Sequence, residues 1–111
     1  LHPDLKTSRI EAIFRKGTNP EIDSYSAFYD NGHEKTTGLA GYLKEKGVDE
    51  LYFCGLAAEI CVYFSVMDAL EEGFDSTIIE DATRALNPDD FENAKKNMLK
   101  KGGKIINSST I

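Results

Sequence analysis

The sequence predicts an α/β fold in which helices cover a parallel sheet. Short apolar segments typical of buried strands alternate with helical segments along all 111 residues, and the loops between them are short. This alternation favours a parallel sheet with right-handed crossover connections. The length is that of one domain. Three helices would cover four strands only thinly, whereas parallel sheets are normally covered on both faces, so we expect further structure to belong to the domain.

Four segments have the composition of strands. Residues 51–54 are continuously apolar, as buried parallel strands are, and Gly55 is expected to end this strand. The other predicted strands are residues 10–14, 76–79 and 104–107. Helical segments separate all four, which is the order expected of a parallel sheet.

Three helices are predicted between these strands. The first is capped by Thr36 or Thr37 and ends at Gly47. The second runs over residues 58–72, and its first half is apolar on nearly every side, which is typical of a helix packed on more than one face. The third begins at Pro88 and ends at a glycine pair.

The charge and hydropathy patterns exclude several classes of function. The net charge is −6 and the acidic residues are spread along the chain, so we expect no nucleic-acid partner. No apolar run approaches the ~20 residues of a membrane span, so we expect no membrane partner. Cys54 and Cys61 are too few for a disulfide scaffold, which favours reduced thiols and a cytoplasmic protein.

Ligands of open parallel sheets bind beyond the carboxyl ends of the strands. Three places in the sequence meet this condition: Lys16, residues 55–61, and Asp81. Structural alternatives exist, because Lys16 is also explained as a solvated lysine and Asp81 as a residue that closes a turn. His2 and His33 are isolated, so neither is predicted to be a metal ligand.

Cys61 is the strongest candidate for chemistry. It follows a strand and a tight turn and lies near the start of the second predicted helix. The N–H groups and the positive dipole end of a helix N-terminus stabilise a thiolate, and the same N–H groups can hold an oxyanion. A cysteine in an apolar helix is more often an inert core residue, so spacing alone favours that interpretation and leaves the catalytic one open.

Two separated segments resemble those of a known family. Residues 14–30 contain Phe-Arg-Lys-Gly and then Asp-Ser-Tyr-Ser-Ala-Phe-Tyr-Asp, which is similar to the lysine segment of nicotinamidases. Residues 54–62, Cys-Gly-Leu-Ala-Ala-Glu-Ile-Cys-Val, resemble the nucleophile segment of the same family, and residues 79–83 resemble it as well. The sequence is therefore identified as a member of the isochorismatase-like cysteine hydrolases, and within them it resembles the nicotinamidases and pyrazinamidases.

The resemblance implies a fold and a set of catalytic roles. The fold is a doubly wound, Rossmann-like parallel sheet with helices on both faces, of which residues 1–111 would be the C-terminal part, without the N-terminal strands. The implied triad is Asp-Lys-Cys, with Cys61 as the nucleophile and Lys16 as the lysine, while its Asp lies outside this chain. The implied oxyanion-hole donors are the N–H groups of Ala57 and Cys61.

The resemblance also implies the surroundings of the substrate. Tyr25 would lie beside the substrate ring, and Ala57 and Ile60 would face the same pocket. A non-proline cis peptide is expected between Leu56 and Ala57. A divalent metal, expected to be zinc, would bind the pyridine nitrogen, and its ligands would precede this segment, so no metal ligand is expected in the chain.

The implied reaction is the hydrolysis of nicotinamide to nicotinate and ammonia, and also of pyrazinamide, through a thioester on Cys61. The chain would need the N-terminal half of the domain, so the isolated 111 residues are expected to be inactive. Two alternatives stay open: another isochorismatase-like cysteine amidohydrolase, or a non-catalytic α/β binding module in which Cys61→Ala has no effect. The oligomeric state is also open, a homo-oligomer included.

Overall fold

The computed structural model describes Ile10, Ala12 and the segments 26–29 and 36–110. In chain order these form α1 (Leu39–Glu45), β1 (Glu50–Leu56), a π-helical turn (Ala58–Val62), α2 (Tyr63–Glu71), β2 (Asp75–Arg84), α3 (Pro88–Lys100), β3 (Lys104–Ile106) and a 3₁₀ turn (Ser108–Thr110). Ile10 and Ala12 have no regular structure, and the rest of the predicted strand 10–14 lies outside the described residues, so that strand stays a prediction. None of the helices in the described segments is long and apolar enough to cross a membrane.

The three strands of the described segments form one parallel sheet in the order β1-β2-β3. The register pairs Glu50 with Asp75 at the start of β1, and Thr77 with Lys104 at the start of β3. The π-helical turn and α2 connect β1 to β2, and α3 connects β2 to β3. The predicted α/β fold with a parallel sheet is confirmed.

Two strands extend beyond their predicted ends. Gly55 does not end β1, because it stays in the strand with a φ of 118° and pairs with Thr83 of β2. β2 has 10 residues, since its second half continues alongside the end of β1 as far as Arg84. Composition misses this second half because residues 80–84 contain no apolar run. The strand ends matter for function, since candidate ligand sites lie there.

Apolar clusters hold the helices on the sheet. The cluster between α2, β2 and α3 contains Val66, Ile78 and Met98, each at most 1% exposed. A second cluster joins segment 26–29 to α1 and α2 through Phe28, whose ring stacks on that of Phe74 with 6.3 Å between centroids. Burial of these side chains removes apolar surface from water, which is the main force that holds the layers together.

The first turn of α1 differs in part from its prediction. Gly38, with a φ of 85°, occupies the cap position that the sequence assigns to Thr36 or Thr37. The Thr37 hydroxyl accepts the N–H of Leu39 at 3.3 Å, but it also donates to the carbonyl of Ala27 at 2.7 Å. This threonine therefore ties the helix to segment 26–29, and that second bond could not be read from local sequence.

A charged cluster lies at the C-terminal end of α2. Lys44 Nζ donates to Oε2 of Glu72 at 2.8 Å, and the hydroxyl of Tyr29 donates to Oε1 of the same carboxylate. Together with the charge of Lys44, these two bonds lower the pKa of Glu72. The carboxylate thus links α1 and segment 26–29 to the end of α2, and both of its oxygens are used.

Met98→Ala is expected to lower the free energy of unfolding by about 2–5 kcal/mol, because it opens a cavity between α2, β2 and α3. Leu99→Ala is the matched control, since the neighbouring side chain is 56% exposed and its loss should cost less than about 0.5 kcal/mol. Denaturant titration followed by circular dichroism measures both. Equal losses for the two variants would contradict the assigned core.

Candidate active site

A break in strand register shapes the carboxyl edge of the sheet. Phe53 pairs with Ile78, but the next pair along β1 is Gly55 with Thr83. Four residues of β2, 79–82, therefore lie opposite the single residue Cys54 of β1, and β2 forms a bulge there. The ladder closes again beyond the bulge, which leaves a recess at the edge where ligands of parallel sheets bind.

This recess is an open cleft of about 310 Å³. It is lined by the end of β1 and the far half of β2: Gly55, Leu56, Asp81, Ala82, Thr83 and Arg84. Leu56 is 74% exposed although it is a large apolar residue at the end of β1. The cleft thus combines exposed apolar surface with a carboxylate and a guanidinium, a mixture suited to a small ligand that has both a ring and a polar group.

The chain leaves β1 through a tight turn. The Leu56–Ala57 peptide bond is cis, as the resemblance implies. The carbonyl of Ala57 then accepts two backbone N–H groups, from Ile60 at 3.1 Å and from Val62 at 3.2 Å. The bond to Val62 spans five residues, which is the pattern of a π-helical turn.

The π-helical turn corrects the prediction of one regular helix over residues 58–72. Cys61 lies in this turn, ahead of the α-helical part that begins at Tyr63, and its side chain is half-buried. Ala58 is fully buried in the same turn, between Phe91 and Ala94 of α3. Single π-helical turns are uncommon and occur frequently at functional sites. Hydrophobic periodicity is too coarse to distinguish such a turn from an α-helix, which is why the sequence does not reveal it.

Thr83 fixes the start of this turn and was missed as a functional residue. Its hydroxyl donates to the carbonyl of Gly55 at 2.6 Å in a partly buried position. The bond holds β1 and β2 together just beyond the register break. The sequence did contain a signal for Thr83, because this residue ends the segment 79–83 that resembles the family. No rule of sequence spacing, however, predicts that its hydroxyl bonds to Gly55.

Glu59 is the second functional candidate that sequence reasoning missed. Its carboxylate accepts the backbone N–H of Leu86 at 3.1 Å and that of Asn87 through the other oxygen. The bond from Asn87 is the largest cause that lowers the pKa of Glu59, so the carboxylate is charged at neutral pH. An acidic residue in the first turn of a helix is a weak signal, because it is usually explained by the helix dipole alone.

Asp81 closes a turn, which is the structural alternative given for it. Its two oxygens accept the N–H of Ser108 at 2.8 Å and the hydroxyl of Ser108 at 2.5 Å. These bonds, the one from the hydroxyl first, lower the pKa of Asp81. Asp81 still lines the cleft, but its carboxylate is committed to the 3₁₀ turn.

The end of the lysine segment contacts the helix that follows Cys61. The N–H of Ala27 donates to the hydroxyl of Ser65 at 2.8 Å, and Ser65 lies four residues after Cys61, about one turn further along. The lysine segment therefore contacts the chain just beyond the segment 54–62 that contains Cys61. Lys16 and Tyr25 themselves lie outside the described residues, whereas Ala57, Ile60 and Cys61 lie together in the turn after β1.

Metal ligands were predicted to lie outside this chain. Within segments 26–29 and 36–110, no three His, Cys, Asp or Glu side chains converge to hold a metal ion. His2 and His33 are not among the described residues. The donor set described here does not fit a metal, and we derive no step through one.

Comparison with known proteins identifies the family. The family model of the isochorismatase domain matches residues 1–110. The chain belongs to the isochorismatase family. A nicotinamidase of Escherichia coli (strain K12) is 43% identical over 107 residues, which cover 95% of this chain and 50% of that protein. The resemblance that the motifs indicate is thus confirmed.

Solved structures of this family share the fold. PnC1 from L. infantum, in complex with nicotinate, is 38% identical with a TM-score of 0.93 and is matched over 98% of this chain and 55% of that one. Pyrazinamidase of Pyrococcus horikoshii, in complex with zinc, is 38% identical with a TM-score of 0.72 over 83% of this chain and 48% of that one. This chain spans about half the length of the relatives that it matches.

Thr83→Val is expected to loosen the turn that carries Cys61, because it leaves the carbonyl of Gly55 without its partly buried hydroxyl donor. We expect a loss of about 1–2 kcal/mol in stability and faster hydrogen exchange of the amides of Ile60 and Val62. Thr110→Val removes a similar bond, from Thr110 Oγ1 to the carbonyl of Asn107 at 2.8 Å, on the exposed 3₁₀ turn.

Exchange measured by mass spectrometry or NMR separates the two variants. The Thr110 variant should leave the amides of residues 57–62 unchanged. The role given to Thr83 is wrong if its variant also leaves them unchanged.

Proposed function

We propose that this chain is the C-terminal part of a single isochorismatase-like hydrolase domain that converts nicotinamide to nicotinate and ammonia. The observation that carries the proposal is the position of Cys61, in a π-helical turn that follows the cis Leu56–Ala57 bond at the carboxyl edge of the sheet. The match to a nicotinamidase over 95% of this chain supports the same activity. Pyrazinamide, a similar aromatic carboxamide, is the second expected substrate.

Cys61 is the proposed nucleophile. Its thiolate sulfur attacks the carboxamide carbon, and the carbonyl oxygen becomes an oxyanion that accepts hydrogen bonds from the N–H groups of Ala57 and Cys61. The triad Asp takes the thiol proton as the sulfur attacks and gives it to the leaving nitrogen, so the tetrahedral intermediate collapses with loss of ammonia and leaves a thioester on Cys61. Water then gives a proton to the same Asp and attacks the thioester carbon. The carbon–sulfur bond breaks, the Asp returns its proton to Cys61, and nicotinate leaves as the carboxylate with its remaining proton lost to solvent.

The fixed backbone of the turn suits this chemistry. Donors that are already oriented need not reorganise when negative charge develops on the oxygen, and a single such donor contributes about 10²–10³-fold to the rate in other hydrolases. The backbone bonds from Ile60 and Val62 to the carbonyl of Ala57 hold the turn in one arrangement. Ile60 contributes its apolar side chain to the proposed ring pocket.

Lys16 and Tyr25 complete the proposal from the lysine segment. Lys16 would stabilise the thiolate and the developing oxyanion by its charge, and Tyr25 would contact the pyridine ring. Support comes from the hydrogen bond between Ala27 and Ser65, which brings the end of the lysine segment to α2, the helix that follows Cys61. Both roles rest on the motif match, because the two side chains lie outside the described residues.

The remaining parts would come from the N-terminal part of the complete domain. The triad Asp, which acts as general base, and the ligands of a divalent metal belong there in our proposal. A related pyrazinamidase, that of Pyrococcus horikoshii, was solved in complex with zinc, which supports a metal and favours zinc. The free thiols of Cys54 and Cys61 suit a cytoplasmic setting.

Cys61→Ala is expected to reduce nicotinamide hydrolysis by the complete protein about a thousandfold or more, because the proposed thioester forms on its sulfur. Cys54→Ala is the matched control, since Cys54 is exposed and is not part of the proposed site, and it should keep nearly full activity. Release of ammonia from nicotinamide and from pyrazinamide measures both.

Three results would argue against the proposal. Full activity of the Cys61 variant would mean that a different group is the nucleophile. Turnover of other amides but not of nicotinamide would favour a different isochorismatase-like hydrolase. Full turnover by the isolated 111-residue chain would show that no further part of the domain is needed.

A further inference from the structure

We propose that Glu59 is a positioning residue for Cys61, because its carboxylate holds the π-helical turn against the connection between β2 and α3. The inference rests on the proposed function, in which Cys61 is the nucleophile. Glu59 lies in the same turn as Cys61, two residues before it. It does not touch the reacting atoms in this proposal and acts only through the backbone that it fixes.

The carboxylate is held at both oxygens. Oε1 accepts the N–H of Leu86 at 3.1 Å, and Oε2 accepts the N–H of Asn87. These two donors are consecutive residues between β2 and α3, so the pair of bonds fixes the orientation of the carboxylate as well as its distance. Hydrogen bonds to a charged acceptor are stronger than those between neutral groups.

The residues that hold Glu59 are themselves fixed. Asn87 caps α3, because its Oδ1 accepts the N–H of Asp89 at 3.0 Å and that of Asp90 at 3.2 Å. A continuous series of hydrogen bonds therefore runs from the first turn of α3 through Asn87 to Glu59. Because α3 packs on β2 and α2, these hydrogen bonds attach the turn to the core of the domain.

A second contact fastens the same turn to α3. Ala58, the residue before Glu59, is fully buried and packs against Phe91 and Ala94. The turn is thus attached by an apolar contact on one side and by a polar contact on the other. Loss of the polar contact leaves Ala58 in place but lets residues 59–61 move, and a π-helical turn is then free to relax towards the commoner α-helical pattern.

The exposure of these bonds allows an effect of Glu59 on the position of Cys61 to be distinguished from an effect on folding stability. The bonds from Leu86 and Asn87 are exposed, and exposed charged contacts contribute little to folding. A misplacement of about 1 Å in an active site, in contrast, can cost about a hundredfold in rate. Substitution of Glu59 should therefore affect the rate of the chemical step far more than the melting temperature.

The test compares Glu59→Ala and Glu59→Gln with Glu72→Gln in the complete protein. Glu72 is the matched control, because its carboxylate also accepts two hydrogen bonds, from Tyr29 and Lys44, at the far end of α2. We expect kcat for nicotinamide to fall about ten- to a hundredfold in Glu59→Ala, with KM changed less than about threefold. Glu59→Gln keeps one acceptor oxygen and should recover part of the loss, and Glu72→Gln should keep kcat within about twofold.

A second measurement, the alkylation rate of Cys61, tests whether the thiol has moved and does not depend on catalytic activity. In a Cys54→Ala background, the rate at which iodoacetamide alkylates Cys61 should change several-fold in both Glu59 variants and stay unchanged in Glu72→Gln. Melting temperatures of all variants show whether they are folded. If Glu59→Ala does not fold, Glu59→Gln alone decides.

The outcomes separate this inference from the proposed function. Unchanged kcat and unchanged alkylation in the folded Glu59 variants would overturn the role of Glu59. If the unsubstituted protein does not hydrolyse nicotinamide, the proposed function fails, but the alkylation rates still show whether Glu59 positions Cys61. Equal effects of the Glu59 and Glu72 variants on kcat would also overturn it, because the effect would then be one of general destabilisation.

Discussion

The parallel pairing of β1 with β2, interrupted once and then resumed, is the constraint on which the site depends. Up to Phe53 and Ile78 the two strands run in a regular ladder, and their side chains build the core with α2 and α3. Beyond the bulge of residues 79–82 the ladder closes again at Gly55 and Thr83. The bulge opens the cleft, and the resumed pairing fixes the point from which the turn to Cys61 begins.

Several weak contacts then converge on a short stretch of backbone. Thr83 donates a hydrogen bond to the carbonyl of Gly55, and the carbonyl of Ala57 accepts two backbone N–H groups. The carboxylate of Glu59 accepts backbone N–H groups just before α3. Each contact alone contributes little to the free energy of folding, since a typical hydrogen bond is worth only about 1 kcal/mol net. Together they define the position of Cys61, the proposed nucleophile, and of the N–H groups around it, which is the property that catalysis needs.

The sequence predicts the parts of this arrangement that depend on local composition or on a motif. Apolar runs locate β1 and β3, Pro88 and the glycine pair mark the limits of α3, and the motif around Cys61 indicates the turn and its cis bond. What it misses depends on pairing at a distance. The second half of β2 is polar and becomes a strand only because β1 lies beside it.

The side-chain partners are missed for the same reason. Thr83 is 28 residues from Gly55, and Glu59 is 27 residues from Leu86, so neither bond leaves a periodic signal. The π-helical turn is missed because a pattern of apolar residues does not resolve one extra residue in a helical turn. Lys16 and Tyr25 remain predictions from the motif, because they lie outside the described residues.

The most direct test of the central claim, that Cys61 is a nucleophile in the turn after β1, uses the aldehyde analogue of nicotinamide labelled with ¹³C at its carbonyl carbon. An aldehyde cannot lose ammonia, so an attacking thiolate stops at a tetrahedral thiohemiacetal. With the complete protein we expect the labelled carbon to move from the aldehyde region of the ¹³C spectrum to the region of tetrahedral carbon, and to stay in the aldehyde region with Cys61→Ala. A resonance that stays in the aldehyde region with the unsubstituted protein, or that moves equally in the Cys61 variant, would contradict the account.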